Sequence, residues 1–68
     1  MQLTMKAARM SAKLTQKQAA EALHIHHNTL SAYENGKRYP SVPFMREMTD
    51  LYRRRGAPIY RVDDIFLP

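Results

Sequence analysis

Apolar residues recur at helical spacing along most of the chain, and short polar segments interrupt them. The pattern predicts four amphipathic helices, over about residues 5–13, 16–23, 27–34 and 43–54, and a short fifth helix over about 63–66. No segment alternates between apolar and polar residues for long enough to indicate a strand. The prediction is therefore an all-α, five-helix fold that forms one domain over residues 1–68.

Threonines in N-cap positions mark the starts of the first two helices. Thr4 precedes a run of strong helix formers. Thr15 is followed three residues later by Gln18, which is the signature of a capping box. The expected inward stripes are Leu3, Ala7, Met10 and Leu14 in the first helix, and Ala19, Ala20 and Leu23 in the second.

The third and fourth helices also have recognisable ends. The third begins at His26 or His27, and it ends before Gly36, because glycine accepts the left-handed conformation that closes a helix. Ser41 is the expected N-cap of the fourth helix, and Pro43 is tolerated in its first turn. The expected inward residues are Leu30 and Tyr33 in the third helix, and Phe44, Met45, Met48, Leu51 and Tyr52 in the fourth.

The second and third helices, joined by a tight turn, form a unit typical of proteins that read the major groove of DNA. That groove admits one helix, whose outer face must reach the base edges through short polar side chains. The predicted base-reading residues are His27, Asn28, Ser31 and Ala32, opposite the inward Leu30 and Tyr33. The Asn28 amide suits adenine, the His27 ring suits a purine edge, and the Ala32 methyl group suits thymine.

Charged residues supply the rest of the predicted interface. The chain carries 11 Lys and Arg against 6 Asp and Glu, and this net charge of +5 suits a polyanion but is weak evidence by itself. Gln16 and Lys17 begin the second helix, where free backbone N–H groups favour a phosphate. Lys37 and Arg38 follow the third helix and are predicted to bind the DNA backbone. The arginine run at 53–55 is interpreted mainly as a solvated helix end.

Other classes of protein find little support. The chain has no cysteine, and His24, His26 and His27 straddle a turn, so we expect neither a metal nor another cofactor. Asp63 and Asp64 would point about 100° apart on a helix and cannot flank one bond, so an enzyme with a small-molecule substrate is not expected. No apolar run is long enough to span a membrane and no signal-peptide core follows the N-terminus, which predicts a soluble cytoplasmic protein.

The run LTQKQAAEALHIHHNTLSAYENGKRYP resembles the Cro/CI-type (Xre-like) helix-turn-helix family of phage and bacterial regulators. The segments MKAARMSAKLTQ and YENGKRYPSVP fit the same family, and the ending VDDIFLP resembles short regulators from phages and mobile elements of Gram-positive bacteria. The resemblance implies a lambda-repressor-like domain of five helices, of a kind that often dimerises on operators with two half-sites.

The resemblance also implies roles for individual residues. Gln16 matches the family's phosphate or base-pair contact, and Asn35 and Lys37 match its phosphate-binding positions after the third helix. The positions that read bases in the family fall at His27, Asn28, Ser31 and Ala32. Arg9 and Glu34 match an ion pair that ties the first helix to the end of the third. This pair is expected to be partly exposed and therefore to stabilise the fold by only about 0.2 to 1 kcal/mol.

The sequence departs from the family pattern at three places. His24 replaces the usual glycine of the turn, where a positive φ is often needed. His26 replaces the usual serine or threonine cap of the third helix and is a poorer cap. The connection RRRGAPIYR is longer than usual, which leaves the position of the last helix and of any dimer contact open.

The two-helix unit and its polar face predict a sequence-specific regulator of transcription that binds double-stranded DNA. The resemblance implies the Cro-like repressor type found in phages and mobile elements. The alternative is a protein-interaction module on the same fold, of the antitoxin or anti-repressor type. One helix reads only a few base pairs, so a weak homodimer on an operator with two half-sites is expected. The predicted dimer contacts are Tyr60, Phe66 and Leu67.

Overall fold

Helices form most of the chain in a computed structural model, which describes residues 3–59 and 61–66. In chain order the elements are β1 (Leu3–Thr4), α1 (Met5–Ser11), α2 (Gln16–Ala22), α3 (His27–Glu34), α4 (Val42–Arg54), a 3₁₀ turn (Val62–Asp64) and β2 (Ile65–Phe66). Helix α1 packs against both α3 and α4, and α2 packs against α3. Within the described part of the chain, no helix has the length and apolar character needed to cross a bilayer.

The prediction of a fifth helix over residues 63–66 is wrong. Val62–Asp64 form a single 3₁₀ turn, before which the backbone N–H of Arg61 donates to the Asp64 carboxylate at 3.0 Å. Ile65–Phe66 then become extended and pair in parallel with Leu3–Thr4, with Leu3 opposite Ile65. The partner of this short strand is therefore more than sixty residues away in sequence, so the local pattern of residues could not reveal the pairing.

Side chains cap the first turns of the four α-helices in the described residues. Thr4 and Ser41 each accept a backbone N–H of the first turn, at 3.0 and 3.2 Å. Thr15 and Gln18 form a capping box, in which each side chain accepts the backbone N–H of the other residue, at 3.1 and 3.0 Å. His26 caps α3 through Nδ1, which accepts a backbone N–H at 3.1 Å. Histidine thus performs the function that serine or threonine has in the family, since each such bond satisfies an exposed helix-end donor.

A left-handed residue ends each of these four helices. The four residues are Lys13 (φ 61°), His24 (φ 58°), Gly36 (φ 74°) and Gly56 (φ 99°). At the end of α2, the His24 N–H donates to the Glu21 carbonyl at 3.2 Å, and the Ile25 N–H donates to the Ala20 carbonyl at 3.0 Å. This pair of bonds defines a Schellman motif, and the other three helices end in the same way. His24 therefore adopts the backbone conformation of the glycine it replaces, with strain that glycine avoids.

We expect the substitution His24→Gly to raise the free energy of unfolding by roughly 0.5 to 1 kcal/mol. A left-handed conformation costs a non-glycine residue about 1 to 2 kcal/mol, and the larger entropy of glycine in the unfolded chain offsets part of that gain. Thermal denaturation should show a rise in Tm of several degrees. As a control, Ala22→Gly in the adjoining helical turn should lower stability by up to about 1 kcal/mol. A loss of stability in both variants would contradict the strain at His24.

The hydrophobic core draws on all four helices and on the segment that follows α4. Its largest fully buried side chains are Met5, Leu30, Met48, Tyr52 and Ile59. The stripes expected in α2, α3 and α4 supply Ala19, Ala20, Leu23, Leu30, Met45, Met48 and Tyr52, all buried. Ile59 and Ile65 add buried side chains from beyond the helices, so part of the apolar content near the C-terminus belongs to this core.

The stripe predicted for α1 is wrong. Met10 is 59% exposed, and the other three members of that stripe are only partly buried. The face of α1 that points inward instead consists of Met5, Ala8 and Arg9, followed by Ala12 at the C-cap. Both sets of residues have helical spacing, so periodicity alone could not distinguish them.

Candidate nucleic-acid interface

The turn at residues 23–26 sets α3 with one face in the core and the other in solvent. On the inner face Leu30 is fully buried, and Tyr33 packs partly buried against the core. The outer face of α3 carries the predicted base-reading residues: His27 and Asn28, both exposed, and Ser31 and Ala32, both partly buried. The helix therefore presents polar side chains to solvent, while Leu30 on its inner face packs in the core.

A buried ion pair joins α1 to the end of α3. Arg9 Nε donates to Glu34 Oε2 at 2.8 Å, and Arg9 Nη2 donates to Glu34 Oε1 at 3.3 Å. The same guanidinium donates from Nη1 to the Leu14 carbonyl at 3.0 Å. Gln16 Nε2 donates to Glu34 Oε1 at 3.2 Å. One carboxylate thus holds the end of α3 to α1 and to the first residue of α2, which the sequence analysis did not predict for Gln16.

The partial exposure expected for this ion pair is wrong. The side chains of Arg9 and Glu34 are only 10% and 4% exposed. Two charges taken out of water are tolerated only where geometry is good and the remaining donors and acceptors are bonded. The two hydrogen bonds between Arg9 and Glu34, together with the bonds to Leu14 and Gln16, meet that requirement. The pair is therefore an internal structural element, for which the small energies of surface ion pairs do not apply.

Tyr52 lies close enough to this ion pair to respond to both of its charges. Its side chain is fully buried, and its hydroxyl has no hydrogen-bond partner among the described residues. Burial raises the pKa of the Tyr52 hydroxyl well above its ordinary value, and the Glu34 carboxylate adds to the rise while Arg9 opposes it. The hydroxyl therefore stays neutral at physiological pH, and Tyr52 contributes packing rather than charge.

Two contacts shape the ends of the outer face of α3. The rings of His26 and His27 stack with their centroids 4.3 Å apart at the start of the helix. At the other end, Asn35 Nδ2 donates to Ser31 Oγ at 3.2 Å. Between them the Asn28 side chain forms no hydrogen bond to any residue that the structure describes, while its exposed amide can donate and accept. This amide has the chemistry that a base edge in the major groove requires.

The segment after α3 places two cations at the C-terminal end of that helix. Lys37 and Arg38 follow the Schellman motif that closes α3, and both are exposed. The Arg38 guanidinium lies 5.8 Å from the centroid of the Tyr33 ring, which in turn packs against Phe44 at 5.2 Å between centroids. A cation–π contact of this kind limits the directions that the arginine can take. Positive charge is thereby held next to the end of α3.

The arginine run at 53–55 is not a uniform solvated helix end. Arg53 and Arg54 both pair with the Asp50 carboxylate, at 2.8 and 3.2 Å, on the exposed side of α4. Arg55 instead donates from Nε to the Ala12 carbonyl at 3.0 Å in a partly buried contact. It therefore bonds the C-cap of α1 to the end of α4. The sequence carried no signal for this role, because the acceptor lies 43 residues away along the chain.

The two-helix unit and its polar outer face define the class of a helix-turn-helix DNA-binding domain. Residues 5–56, about three quarters of the chain, match the family model described as helix-turn-helix. The chain therefore belongs to the helix-turn-helix family of the Cro/CI (Xre-like) type. Comparisons with curated proteins and with solved structures found no match.

The remaining predicted site residues are only partly located. Lys17 is exposed on α2, next to Gln16. Of the predicted dimer contacts, Tyr60 and Leu67 lie outside the described residues, and only the backbone of Phe66 is described, in β2.

Proposed function

We propose that the protein is a sequence-specific regulator of transcription, a Cro-like repressor of the phage or mobile-element type, which reads an operator in the cytoplasm with the outer face of α3. The observation that supports the proposal most is the anchoring of that helix. His26 caps its start, and the carboxylate of Glu34 at its end is bonded to Arg9 and Gln16. A helix fixed at both ends presents His27 and Asn28 to bases with little further loss of conformational entropy.

Cations and amides on either side of the helix complete the proposed interface. We assign contacts with the DNA backbone to Gln16, Lys17, Asn35, Lys37 and Arg38. Gln16 uses one amide hydrogen on Glu34, and its second amide hydrogen remains for a phosphate oxygen. These contacts set the position of the domain on the duplex, and the base contacts select the sequence.

Asn28→Ala and His27→Ala are expected to weaken binding to the preferred operator by roughly 1 to 3 kcal/mol each, with little change on unrelated duplex. The reason is that the lost bonds are made to base edges, which differ between sequences. The operator is first identified by selection from a random duplex library. The affinities of each variant for the operator and for an unrelated duplex are then measured by titration at one salt concentration. Equal weakening on all sequences would make these two residues positioning groups.

Lys37→Ala is the matched control for those two variants. A lost phosphate contact should weaken binding to every duplex and reduce the slope of log K against log salt by about one. An unchanged slope would remove Lys37 from the interface. Absence of any duplex binding by the unaltered protein at low salt would contradict the whole proposal and favour the protein-interaction module instead.

A weak homodimer is the second part of the proposal. One α3 helix reads too few base pairs to find its site among about a million or more competitors, and two copies on a two-fold axis double the reading. Half-sites about 34 to 36 Å apart then follow from the helical repeat of DNA. We assign the contact to the segment that contains Tyr60, Phe66 and Leu67. Ile59 and Ile65 are excluded from it because they are buried within one copy.

The dimer predicts a change of mass on the operator. Sedimentation should show mostly single copies of the free protein and two copies on one selected duplex, because a small interface becomes complete only when DNA holds both partners. Leu67→Ala should reduce the cooperativity of that titration without changing the affinity for a single half-site. A complex of one protein with one non-palindromic duplex would leave a monomeric reader.

A further inference from the structure

A crevice of about 240 Å³ lies between α4 and the segment that begins the 3₁₀ turn. Its lining consists of Arg46, Thr49, Asp50, Arg53, Arg61 and Val62. None of these residues belongs to α2 or α3, so the crevice is built from elements other than the two that form the proposed DNA-reading unit. Three arginines and one aspartate give the lining a net charge of +2.

The charges of this crevice are only partly compensated. Asp50 is bonded to Arg53 and to Arg54, the latter outside the lining. Among the described residues, neither Arg46 nor Arg61 forms an ion pair or a side-chain hydrogen bond, although both line the crevice and are exposed. Two guanidinium groups, with five donors each, therefore border one small concavity in which the one lining carboxylate, Asp50, is bonded to other arginines.

A buried hydroxyl in the same crevice also lacks a partner. Thr49 Oγ1 is shielded from solvent and has no hydrogen-bond partner in the described part of the chain, and the Thr49 residue is only 5% exposed. Buried polar side-chain atoms without a partner are uncommon in folded proteins. The hydroxyl can donate one hydrogen bond, and the arginines beside it can donate several, so the unsatisfied groups here are predominantly donors.

We propose that this crevice binds a compact oxyanion of the phosphate class, as inorganic phosphate or as the phosphate group of a small metabolite. Phosphate oxygens accept paired bonds from guanidinium groups and charge-assisted bonds from hydroxyls. Thr49 lines the crevice as well, and a phosphate seated between Arg46 and Arg61 would have to displace the side chains that shield its hydroxyl in order to accept a hydrogen bond from it. The volume suits one or two phosphate groups. Because the lining contains no residue of α2 or α3, we assign the crevice to a free anion rather than to the DNA backbone.

The proposal is tested on the full chain without DNA, so that its outcome does not depend on the proposed operator binding. Inorganic phosphate, and separately pyrophosphate, is titrated at constant ionic strength against chloride, and amide shifts are followed by ¹H–¹⁵N NMR. The expected result is saturable binding, with the shifts concentrated at residues 46–53 and 61–62. Shifts spread over all cationic surfaces, or no saturation, would overturn the site.

Three variants examine the residues that carry the proposal. Arg46→Gln and Arg61→Gln should each raise the dissociation constant for phosphate about tenfold or more, since a bond to a charged group is worth roughly that factor. Thr49→Val keeps the shape of the side chain and removes the donor. It should weaken phosphate binding severalfold while leaving Tm without phosphate unchanged or higher, because no protein bond is lost.

Lys6→Gln is the matched control, since it removes the same charge from an exposed position on α1. It should change the dissociation constant by less than twofold. Equal losses in Lys6→Gln and Arg46→Gln would show general charge attraction and overturn the site. A reduced salt slope for duplex binding in Arg46→Gln, with no saturable phosphate binding, would instead make the crevice a contact for the DNA backbone.

Discussion

Glu34→Gln is expected to lower the free energy of unfolding by about 3 to 5 kcal/mol. The substitution keeps the shape of the side chain but leaves the Arg9 guanidinium, in a side chain only 10% exposed, without its counter-charge. A buried charge that loses its partner costs far more than a surface pair gains, because water cannot reach it to compensate. For 68 residues the total stability is only about 3 to 10 kcal/mol, so the variant should be close to unfolding at room temperature.

Chemical denaturation of the unaltered protein and of Glu34→Gln measures this loss of stability. The Glu21→Gln variant is the control. Glu21 is an exposed glutamate on α2, and its substitution should change the stability by less than about 0.5 kcal/mol. A small loss of stability in Glu34→Gln, with operator binding selectively weakened, would contradict this prediction. The ion pair would then be a contact that orients α3 and adds little to stability.

Ile65→Ala is expected to lower the free energy of unfolding by about 2 to 5 kcal/mol. Ile65 is 5% exposed and belongs to the core, and its backbone forms the parallel pairing with Leu3. Truncation removes the buried apolar surface and leaves a cavity between β2 and α1 that the short strand cannot close. The same substitution would cost little if residues 63–66 formed a solvated terminal helix.

Val42→Ala is the control for this cavity, since Val42 is 58% exposed at the start of α4. It should change stability by less than about 0.5 kcal/mol. Sedimentation of Ile65→Ala at a temperature where it remains folded separates the two roles of this region. Loss of the dimer on operator without loss of stability would move Ile65 from the core to the interface between copies.

Local signals in the sequence determined most of the helical framework. The start of α2 is marked by Thr15 with Gln18, and the end of α3 by Asn35 with Gly36. Such capping signals act within one turn of helix, so three or four adjacent residues suffice to predict a helix end. The apolar stripe of α4 is long enough for its period to be unambiguous, and Met45, Met48 and Tyr52 are buried. The outer face of α3 was likewise predictable, because Leu30 leaves only one side of a short helix for solvent.

Two conformations were decided by the tertiary structure in spite of the residue type. Histidine at position 24 and lysine at position 13 adopt left-handed backbone conformations that usually favour glycine, because the helices that they close must turn there to pack. Only the geometry of the neighbouring helices specifies that turn. The family pattern pointed to a positive φ at His24, whereas no local signal in the sequence marked Lys13.

The rotation of α1 was decided by a charge on another helix. Seven residues of α1 allow more than one stripe, and the stripe with Met10 has helical spacing just as the stripe with Arg9 does. Burial of Arg9 becomes favourable only when Glu34 and the Leu14 carbonyl are brought to it, and those groups lie 25 and 5 residues along the chain. The spacing of apolar residues therefore could not predict that Arg9 is buried, because its partner Glu34 reaches it only in the folded chain.

The segment after α4 shows the same limit in its strongest form. Two residues of extended backbone have almost no intrinsic preference, so Ile65–Phe66 become a strand because Leu3–Thr4 lie alongside them. A short helix was expected over residues 63–66, and Val62–Asp64 form a 3₁₀ turn instead. Hydrogen bonds within a helix join near neighbours and can be inferred from them. The hydrogen bonds of this strand pair join segments that are distant in sequence, and only the folded chain brings them together.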